Sequence, residues 1–387
     1  HLDAEVDTLA ERLARKGYLT VGITENPVTA KELGLAQGFD EYHERWKRPL
    51  VFAALDLVGR RLTNAPVREE WTASTVSTAT RWVDTHRHVN RPFFMFVNLM
   101  AAHLPNYPRQ QPNRHHWTAA ELARIEPVNR MAERFYLEEH RLRDHELDIM
   151  REIYGQEIAF IDEHLADLFD DLEERGLLDD TIIVITSDHG ENFGEHGFIE
   201  HQLCVYNTLV RVPFIVRYPP ALDPDTVPTT FSTVDLGRLV LALIEIVTTE
   251  PGQPLSTSLT EVIGHRTAHV GEYGNPVRML RESLGHDADR IDLERFDRRL
   301  RFIIQGGFKL ILGSDGDAEL FDLRTDFDEA SDLAAAHPET VAEMSAALAE
   351  WDDLPPDRRL ASPGPRLDDD TLRLLESLGY VAPADGD

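Results

Sequence analysis

The sequence predicts an α/β protein with a mostly parallel mixed sheet between helices, followed by a smaller α+β part with an antiparallel sheet. Two observations lead to this fold class. Helical spacing and short apolar runs alternate over the first two thirds of the 387 residues, which is typical of parallel sheets. The last third instead carries a hairpin signal. We therefore predict a larger domain over residues 1–262 and a C-terminal subdomain over residues 263–387.

The first helix and strand lie at the start of the chain. Four apolar residues recur there at helical spacing, namely Val6, Leu9, Ala10 and Leu13. Gly17 follows as a stop signal, and the apolar run 19–23 predicts the first strand.

A second helix–strand unit spans residues 76–100. The pattern over 76–89 predicts a helix that ends near Asn90 and Pro92, and 93–100 is almost wholly apolar, as in strands buried on both faces. Residues 106–148 then interrupt the alternation with a segment rich in Arg, His, Asn and Glu. Long connections of this kind are usually functional or disordered, and the first case predicts a lid or specificity insertion.

The third unit contains the longest predicted helix, which ends near Gly176. A β-branched strand over 181–186 follows and stops at a polar turn. A further strand is predicted over 212–217 and a further helix over 234–247.

The last third begins after a linker marked by Pro251 and Pro254. The runs 301–304 and 308–312 flank Gly306 and Gly307, which predicts a hairpin because glycine accepts positive φ. Residues 319–323 are expected to add a strand, and helices over 338–351 and 368–378 to cover the sheet. We expect Lys309 to be a partly exposed strand residue.

The charge balance is strongly acidic, with 39 Lys and Arg against 69 Asp and Glu and a net charge of -30. Such a surface repels phosphate backbones, which argues against nucleic-acid binding. Lysine occurs only at positions 16, 31, 47 and 309. An acidic surface of this kind suits high salt, where repulsion between carboxylates is screened, so a halophilic source is our hypothesis.

Membrane insertion and disulfide bonding are not indicated. No run approaches the roughly 20 apolar residues that a membrane helix needs. Cys204 is the single cysteine, which excludes an intrachain disulfide. We expect a cytoplasmic protein, with the reservation that the chain opens on His1 and a targeting signal would lie upstream.

Candidate chemistry lies where the apolar strands end, since ligands bind beyond the carboxyl ends of strands in open α/β sheets. Asp188 and His189 follow the strand over 181–186 directly, and both side-chain types bind divalent cations. The alternative is a turn that merely closes a strand. His103 follows the strand over 93–100, and its alternative is an ordinary core or surface histidine.

These residues belong to longer motifs that resemble the sulfatase family of the alkaline phosphatase superfamily. The main match comprises Thr186-Ser187-Asp188-His189-Gly190-Glu191, Gly194-Glu195-His196-Gly197 and Arg211-Val212-Pro213-Phe214-Ile215-Val216-Arg217. Further matches in the same order are Gly17-Tyr18-Leu19-Thr20, Ala102-His103-Leu104-Pro105, Phe308-Lys309-Leu310-Ile311 and Glu319-Leu320-Phe321-Asp322-Leu323. The resemblance covers nearly the whole chain and implies an alkaline-phosphatase-like fold.

The resemblance implies a hydrolase of small-molecule or saccharide sulfate esters that works through one divalent cation, usually Ca²⁺, with Mg²⁺ or Mn²⁺ as other choices. Asp188 and His189 would be two metal ligands. His103 matches the histidine that contacts the sulfate or the leaving oxygen, and His201 falls where many relatives place a sulfate-binding lysine. Both would be catalytic and substrate-binding residues.

One part of the family pattern is missing. The C/S-x-P-x-R motif, whose Cys or Ser becomes the formylglycine nucleophile, does not occur in the 387 residues, and neither does the family's upstream acidic pair. We expect both to lie in an N-terminal segment before this chain, without which a sulfate ester should not turn over. The alternatives are a phosphonate monoester or phosphodiester hydrolase of the same superfamily, and a non-catalytic relative.

Overall fold

The computed structural model describes residues 2–47, 69–106, 108, 117–227, 230–249 and 266–352. These residues form two compact units, one ending at Arg175 and the other beginning at Gly176. The predicted linker at Pro251 and Pro254 and the predicted helix over 368–378 lie outside the described residues. The domain boundary between residues 262 and 263 stays a prediction.

The first unit contains a parallel three-stranded sheet. Strand β1 (Leu19–Thr24) lies between β2 (Glu41–Glu44) and β3 (Phe93–Asn98), and both neighbours run parallel to it. The central position of β1 explains its near-complete burial. Strand β3 was expected to be buried on both faces, but Phe96 is 39% exposed. Among the described residues β3 is the last strand of this sheet, so a side chain on its face has strand neighbours on one side only.

Three helices of the first unit match predicted ones. Helix α1 (Leu9–Arg15) begins after Thr8, which forms a capping box with Glu11, and it ends before Gly17 at φ 92°. Helix α2 (Glu69–His86) begins and ends earlier than the predicted range 76–89. It packs against the long predicted helix, which spans 31 residues and is numbered α4 (Asp144–Glu174).

The predicted insertion over 106–148 has its own helices where it is described. Helix α3 (Ala119–Arg130) begins at a capping box between Thr118 and Glu121. Two 3-10 turns, Ala132–Tyr136 and Glu138–His140, lead into α4. A role as a lid stays a prediction.

The second unit begins with strands that carry the predicted polar turn. Strand β4 (Ile183–Thr186) pairs antiparallel with β7 (Phe214–Arg217), so the described residues contain antiparallel as well as parallel sheets. Two short strands between them, β5 (Asn192–Phe193) and β6 (Ile199–Glu200), form a hairpin. A single helical turn, α5 (Asn207–Val210), precedes β7.

The C-terminal antiparallel sheet has the strand order β11-β10-β9-β8. Its strands are β8 (Ala268–Tyr273), β9 (Leu300–Gln305), β10 (Phe308–Gly313) and β11 (Ala318–Asp322). The predicted hairpin joins β9 to β10 through Gly306 at φ 61° and Gly307 at φ 84°. Helix α8 (Pro338–Asp352) covers the sheet as expected, with Met344 and Leu348 packed on Leu310 and its neighbours.

The remaining helices of the second unit are α6 (Leu236–Thr249), which begins and ends two residues later than predicted, and α7 (Val277–Leu284). Short 3-10 turns lie at Glu195–Gly197, Thr233–Asp235, Gly285–Arg290 and Glu294–Phe296. Within the ranges given above, we find no helix with the length and apolar character of a membrane span.

Candidate active site

The turn over residues 187–190 follows β4 and presents its acidic side chain to water. The Ser187 hydroxyl donates a hydrogen bond to the His189 carbonyl oxygen at 2.8 Å, and Asp188 Oδ1 accepts one from the His189 N–H at 3.1 Å. The Asp188 side chain is nevertheless 76% exposed. This carboxylate is therefore held in place by local bonds while it stays open to a charged ligand.

The ring of His189 is oriented by the backbone of the same turn. Its Nδ1 lies 2.8 Å from the Gly190 carbonyl oxygen. Because a carbonyl oxygen can only accept, Nδ1 is the donor, and in the neutral ring Nε2 carries the lone pair. Nε2 lies 3.8 Å from Asp188 Oδ1, so both atoms can reach one cation from neighbouring positions.

These two groups fit a divalent cation as part of its ligand shell. A carboxylate oxygen and an imidazole fixed by a backbone carbonyl are common ligands, the second with its tautomer already set. No group of three His, Cys, Asp or Glu side chains suited to an ion occurs among the residues described by the structure. Asp188 and His189 would supply two ligands to such an ion, and a complete shell would need more oxygen atoms.

His201 lies directly against His189. The two imidazole rings stack with centroids 4.1 Å apart and planes 18° from parallel. Burial lowers the pKa of His201 to about 3, with a further decrease from the charge of His189. His201 is therefore a neutral ring, and it would meet an anion as an N–H donor, unlike the cationic lysine that many relatives are expected to have there.

A buried carboxyl group faces His201. Glu191 Oε1 lies 3.5 Å from His201 Nδ1. Burial raises the pKa of Glu191 to about 8, although the nearby charge of His189 opposes this increase. At neutral pH the two facing groups are therefore both mainly uncharged.

Gly190 is required here by close packing. Its N–H donates to the Leu209 carbonyl oxygen at 2.8 Å, and a Cβ at this position would overlap the carbonyl oxygen of Thr208. The Thr208 hydroxyl also lies 2.6 Å from Asn192 Oδ1. The backbone of α5 therefore supports the 187–190 turn from behind. The crowding that excludes a side chain at Gly190 therefore comes from α5.

Other polar residues between 191 and 201 make structural contacts. The Glu195 carboxylate accepts the Phe193 N–H at 2.5 Å, and Glu200 accepts a bond from Gln202 at 3.0 Å. The exposed His196 stacks on Tyr206 with centroids 3.7 Å apart. These residues therefore stabilise the conformation of the loop.

Cys204 is the buried free thiol. Burial raises its pKa to about 11, so the reactive thiolate form is scarce at neutral pH. The thiol is thus a poor nucleophile, which agrees with the expectation from the missing motif.

His103 lies in the first unit, at the carboxyl end of β3, and is 7% exposed. Its N–H donates to the Met100 carbonyl oxygen at 3.0 Å, and its Nδ1 lies 2.6 Å from the Leu104 carbonyl oxygen. As with His189, the carbonyl makes Nδ1 the donor and leaves the lone pair on Nε2.

Glu25, which the sequence analysis missed, holds the His103 loop. Glu25 follows β1 directly and is 1% exposed. Its Oε2 accepts the Met100 N–H at 2.8 Å. Burial raises the pKa of Glu25, while the hydrogen bonds from Met100, Thr75 and Thr72 oppose the increase. The signal in the sequence was an acidic residue directly after a strongly apolar strand.

The structure brings Asp188, His189 and His201 together in the second unit. His103 belongs to the first unit, and its convergence with the other three stays a prediction. The roles of all four residues likewise stay predictions.

The expectation for Lys309 was wrong. Its side chain is fully buried, and Nζ lies 2.6 Å from Glu329 Oε1. Lys309 can be buried because Glu329 pairs with its charge. Glu329 lies 20 positions later in the chain, so no local sequence pattern indicates that it contacts β10.

Comparisons with known proteins relate most of the chain to one group. The sulfatase family model matches residues 1–246. Arylsulfatase K of Xenopus laevis is 23% identical over 92% of this chain and 69% of its own length. N-acetylgalactosamine-6-O-sulfatase of Bacteroides thetaiotaomicron is 25% identical over 50% of this chain and 40% of its own length.

A solved structure supports the fold. The phosphonate monoester hydrolase of Agrobacterium radiobacter superposes with a TM-score of 0.62 at 19% identity, covering 91% of this chain and 81% of that one. At this identity the likeness establishes the fold alone.

Proposed function

Since the chain belongs to the sulfatase family, we propose that it hydrolyses sulfate esters with the help of a divalent cation held in part by Asp188 and His189. The observation that carries the proposal is the 187–190 turn, where a local hydrogen bond sets the His189 tautomer and Nε2 lies 3.8 Å from an exposed carboxylate oxygen. The nucleophile is proposed to come from sequence outside the 387 residues, because the C/S-x-P-x-R motif is absent from them.

We propose Ca²⁺ as the first cation to test. Sulfatases generally depend on a divalent cation, and Ca²⁺ accepts irregular shells rich in oxygen. Mg²⁺ and Mn²⁺ are tested beside it. When bound, the cation would polarise the sulfuryl oxygens and favour the ionised nucleophile.

His103 and His201 are proposed to serve the substrate. In His103, Nδ1 donates to a carbonyl oxygen, so Nε2 is the atom that exchanges a proton with the leaving oxygen. His201 is neutral and stacked on His189, so it would hydrogen-bond a sulfuryl oxygen by an N–H group. Glu25 would position the His103 loop through Met100.

We propose a sulfated saccharide as the substrate class, because a matched relative acts on a sulfated amino sugar according to its name. The alternative is a phosphonate monoester or phosphodiester. A phosphonate monoester hydrolase shares the fold, and such substrates carry a single negative charge, as sulfate monoesters do. A neutral His201 suits either anion, so the two reactions must be compared directly. A non-catalytic relative is the third possibility.

The test measures hydrolysis of 4-nitrophenyl sulfate beside bis(4-nitrophenyl) phosphate and a phenylphosphonate ester. The protein is expressed from the complete reading frame and supplied with Ca²⁺. We expect the sulfate ester to react fastest, and Asp188→Asn to reduce the rate by about 10²-fold or more. Asp223→Asn, at an exposed aspartate of the same unit, is the matched control and should leave the rate unchanged.

The other outcomes are equally informative. Faster diester or phosphonate hydrolysis would move the protein to the alternative activity. If Asp188→Asn and Asp223→Asn behave alike, the cation assignment is wrong. Bound Ca²⁺ with no hydrolysis of any ester would favour the non-catalytic relative.

We also propose that the protein works in a cytoplasm of high salt content. The net charge of -30 and the single, buried Cys204 support this proposal. A folding midpoint that does not change between low and molar salt would contradict the halophilic part.

A further inference from the structure

Lys309 and Glu329 form a buried ion pair in the second unit. The Lys309 Nζ and Glu329 Oε1 atoms are 2.6 Å apart, and their side chains are 0% and 1% exposed. Nζ also lies 5.2 Å from the centre of the Phe302 ring. Since neither charge reaches water, each depends on the other and on the few polar groups beside them.

The pair holds the first residue of α5. Lys309 Nζ donates to Asn207 Oδ1 at 3.2 Å, and the Asn207 N–H donates to Glu329 Oε2 at 2.5 Å. The Asn207 amide also donates to the Phe327 carbonyl oxygen at 3.0 Å. Asn207 is therefore fixed by hydrogen bonds of its backbone N–H and of both polar atoms of its side chain.

The backbone at Glu329 indicates that this arrangement is strongly determined. Glu329 has φ 55°, a left-handed conformation that is unfavourable for a residue with a Cβ. Such a conformation persists only where the surrounding contacts hold it. Here the Glu329 carboxylate is bonded to Lys309 and Asn207, and its N–H donates to the Asp326 carbonyl oxygen at 3.4 Å.

Helix α5 in turn supports the 187–190 turn. The Leu209 carbonyl oxygen accepts the Gly190 N–H, and the Gly190 carbonyl oxygen accepts the bond that orients the His189 ring. Thr208 lies so close to Gly190 that no side chain fits between them. A continuous series of contacts thus leads from the buried pair to the imidazole.

We propose that Lys309 and Glu329 are positioning residues for the Asp188–His189 cation site. The pair fixes α5 through Asn207, and α5 fixes the 187–190 turn through Gly190. This inference rests on the proposed cation site. The competing interpretation is that the pair only stabilises the C-terminal sheet.

The test uses the double variant Lys309→Met/Glu329→Gln. It removes both charges while roughly keeping the volume of each side chain, so no buried charge is left alone. The matched control is Leu320→Ala, in the apolar cluster between the same sheet and α8. Leu320→Ala destabilises the sheet but does not touch Asn207.

The first measurement is hydrogen exchange of residues 187–194 without any cation. We expect exchange to be about 10-fold faster in the double variant, because the Gly190 N–H loses a fixed acceptor, and unchanged in Leu320→Ala. The second measurement is Ca²⁺ titration by calorimetry of the parent and the variants expressed from the complete reading frame, in which the double variant should bind about 10-fold more weakly. Unchanged exchange in the double variant, or equal acceleration in Leu320→Ala, would overturn the proposal.

The two measurements separate this inference from the function beneath it. If the parent protein binds no Ca²⁺ while the double variant exchanges faster, the pair positions the turn and the cation function is wrong. If the parent binds Ca²⁺ and the double variant binds it equally well with unchanged exchange, the cation function stands and the positioning role is wrong.

Discussion

In each unit a buried glutamate accepts a backbone N–H, either from the His103 loop or from α5, which contacts the 187–190 turn. The two glutamates differ in the charged groups that lie beside them. Glu25 accepts the Met100 N–H in the first unit, and Glu329 accepts the Asn207 N–H in the second. Glu329 has Lys309 at 2.6 Å. Glu25 instead accepts a hydrogen bond from the Thr72 hydroxyl at 3.4 Å, and the charge of Arg45 only partly offsets the effect of burial on its pKa.

The difference shows how the same backbone contact can be made with or without sensitivity to pH. Burial raises the pKa of Glu25, although its hydrogen bonds and the charge of Arg45 oppose the increase, so its charge state changes in a milder pH range. Burial lowers the pKa of Lys309, and the charge and hydrogen bond of Glu329 oppose that decrease. We therefore expect the Glu25 contact that holds the His103 loop to change in strength with pH. The Glu329 contact that holds α5, and through it the 187–190 turn, should not change over the same pH range.

The largest expected effect tests the paired glutamate. Glu329→Gln leaves Lys309 buried without a counter-charge, so the free energy of unfolding should fall by about 3–5 kcal/mol. Lys309→Met should cause a similar loss for the same reason. The measurement is urea unfolding at pH 7, followed by circular dichroism.

The double variant completes a double-mutant cycle with these two single variants. Lys309→Met/Glu329→Gln should recover most of the loss, since no unpaired charge remains. Additive losses in the double variant would show that the two charges do not compensate each other.

The next effect tests the contact between α5 and the 187–190 turn, through which Glu329 is connected to that turn. Gly190→Ala places a Cβ against the Thr208 carbonyl oxygen, so we expect a loss of about 2–3 kcal/mol together with weaker Ca²⁺ binding. The control is Gly155→Ala within α4, where a Cβ meets no atom within 4 Å. That change should instead stabilise the protein by about 0.5–1 kcal/mol. Equal thermal midpoints for the two variants would contradict close support by α5.

A smaller effect tests Glu25. The native state holds the Glu25 proton more tightly than the unfolded chain, so stability should fall as pH rises from the usual glutamate range through the raised pKa. Glu25→Gln mimics the protonated form and removes this dependence.

We expect the Glu25→Gln variant to match the parent at pH 5 and to exceed it at pH 8, by on the order of 1 kcal/mol. Urea unfolding at both pH values measures this. Glu163→Gln, at an exposed position of α4, is the control and should follow the parent. If the parent is relatively more stable than the Glu25→Gln variant at pH 8, the Glu25 carboxylate is not destabilising.

The smallest effect separates buried from exposed charge. With a net charge of -30, the parent should gain at least about 1 kcal/mol between 0.1 M and 2 M KCl, because repulsion at the surface is screened. The decrease in the free energy of unfolding caused by Glu329→Gln should change by less than about 0.5 kcal/mol between these salt concentrations, since salt screens buried charges much less than exposed ones. A strong salt dependence of that loss would mean that water enters around Lys309.

Local features of the fold could be predicted from the sequence. Gly306 and Gly307 identified the hairpin because their conformation is decided by two adjacent residues. Asp188 and His189 were found because they directly follow a β-branched strand. The antiparallel pairing of β4 with β7 was not predictable, since an apolar run does not encode strand direction.

Contacts between distant residues were the ones that sequence analysis missed. Asn207 and Glu329 are 122 positions apart, and Glu25 and Met100 are 75 positions apart. Burial of Lys309 follows from such a contact. Polar residues that support a candidate site have no periodic pattern, so only the folded backbone reveals them.

The single buried thiol provides a way to observe motion in the second unit. Cys204 packs with Leu209 of α5 in one apolar cluster, and Asn192 lies within 3.5 Å of its sulfur atom. A colourimetric thiol reagent can reach it only when that cluster opens, so its reaction rate reports the opening of the region around α5. Because the chain has no other cysteine, every variant discussed above already contains this reporter without labelling.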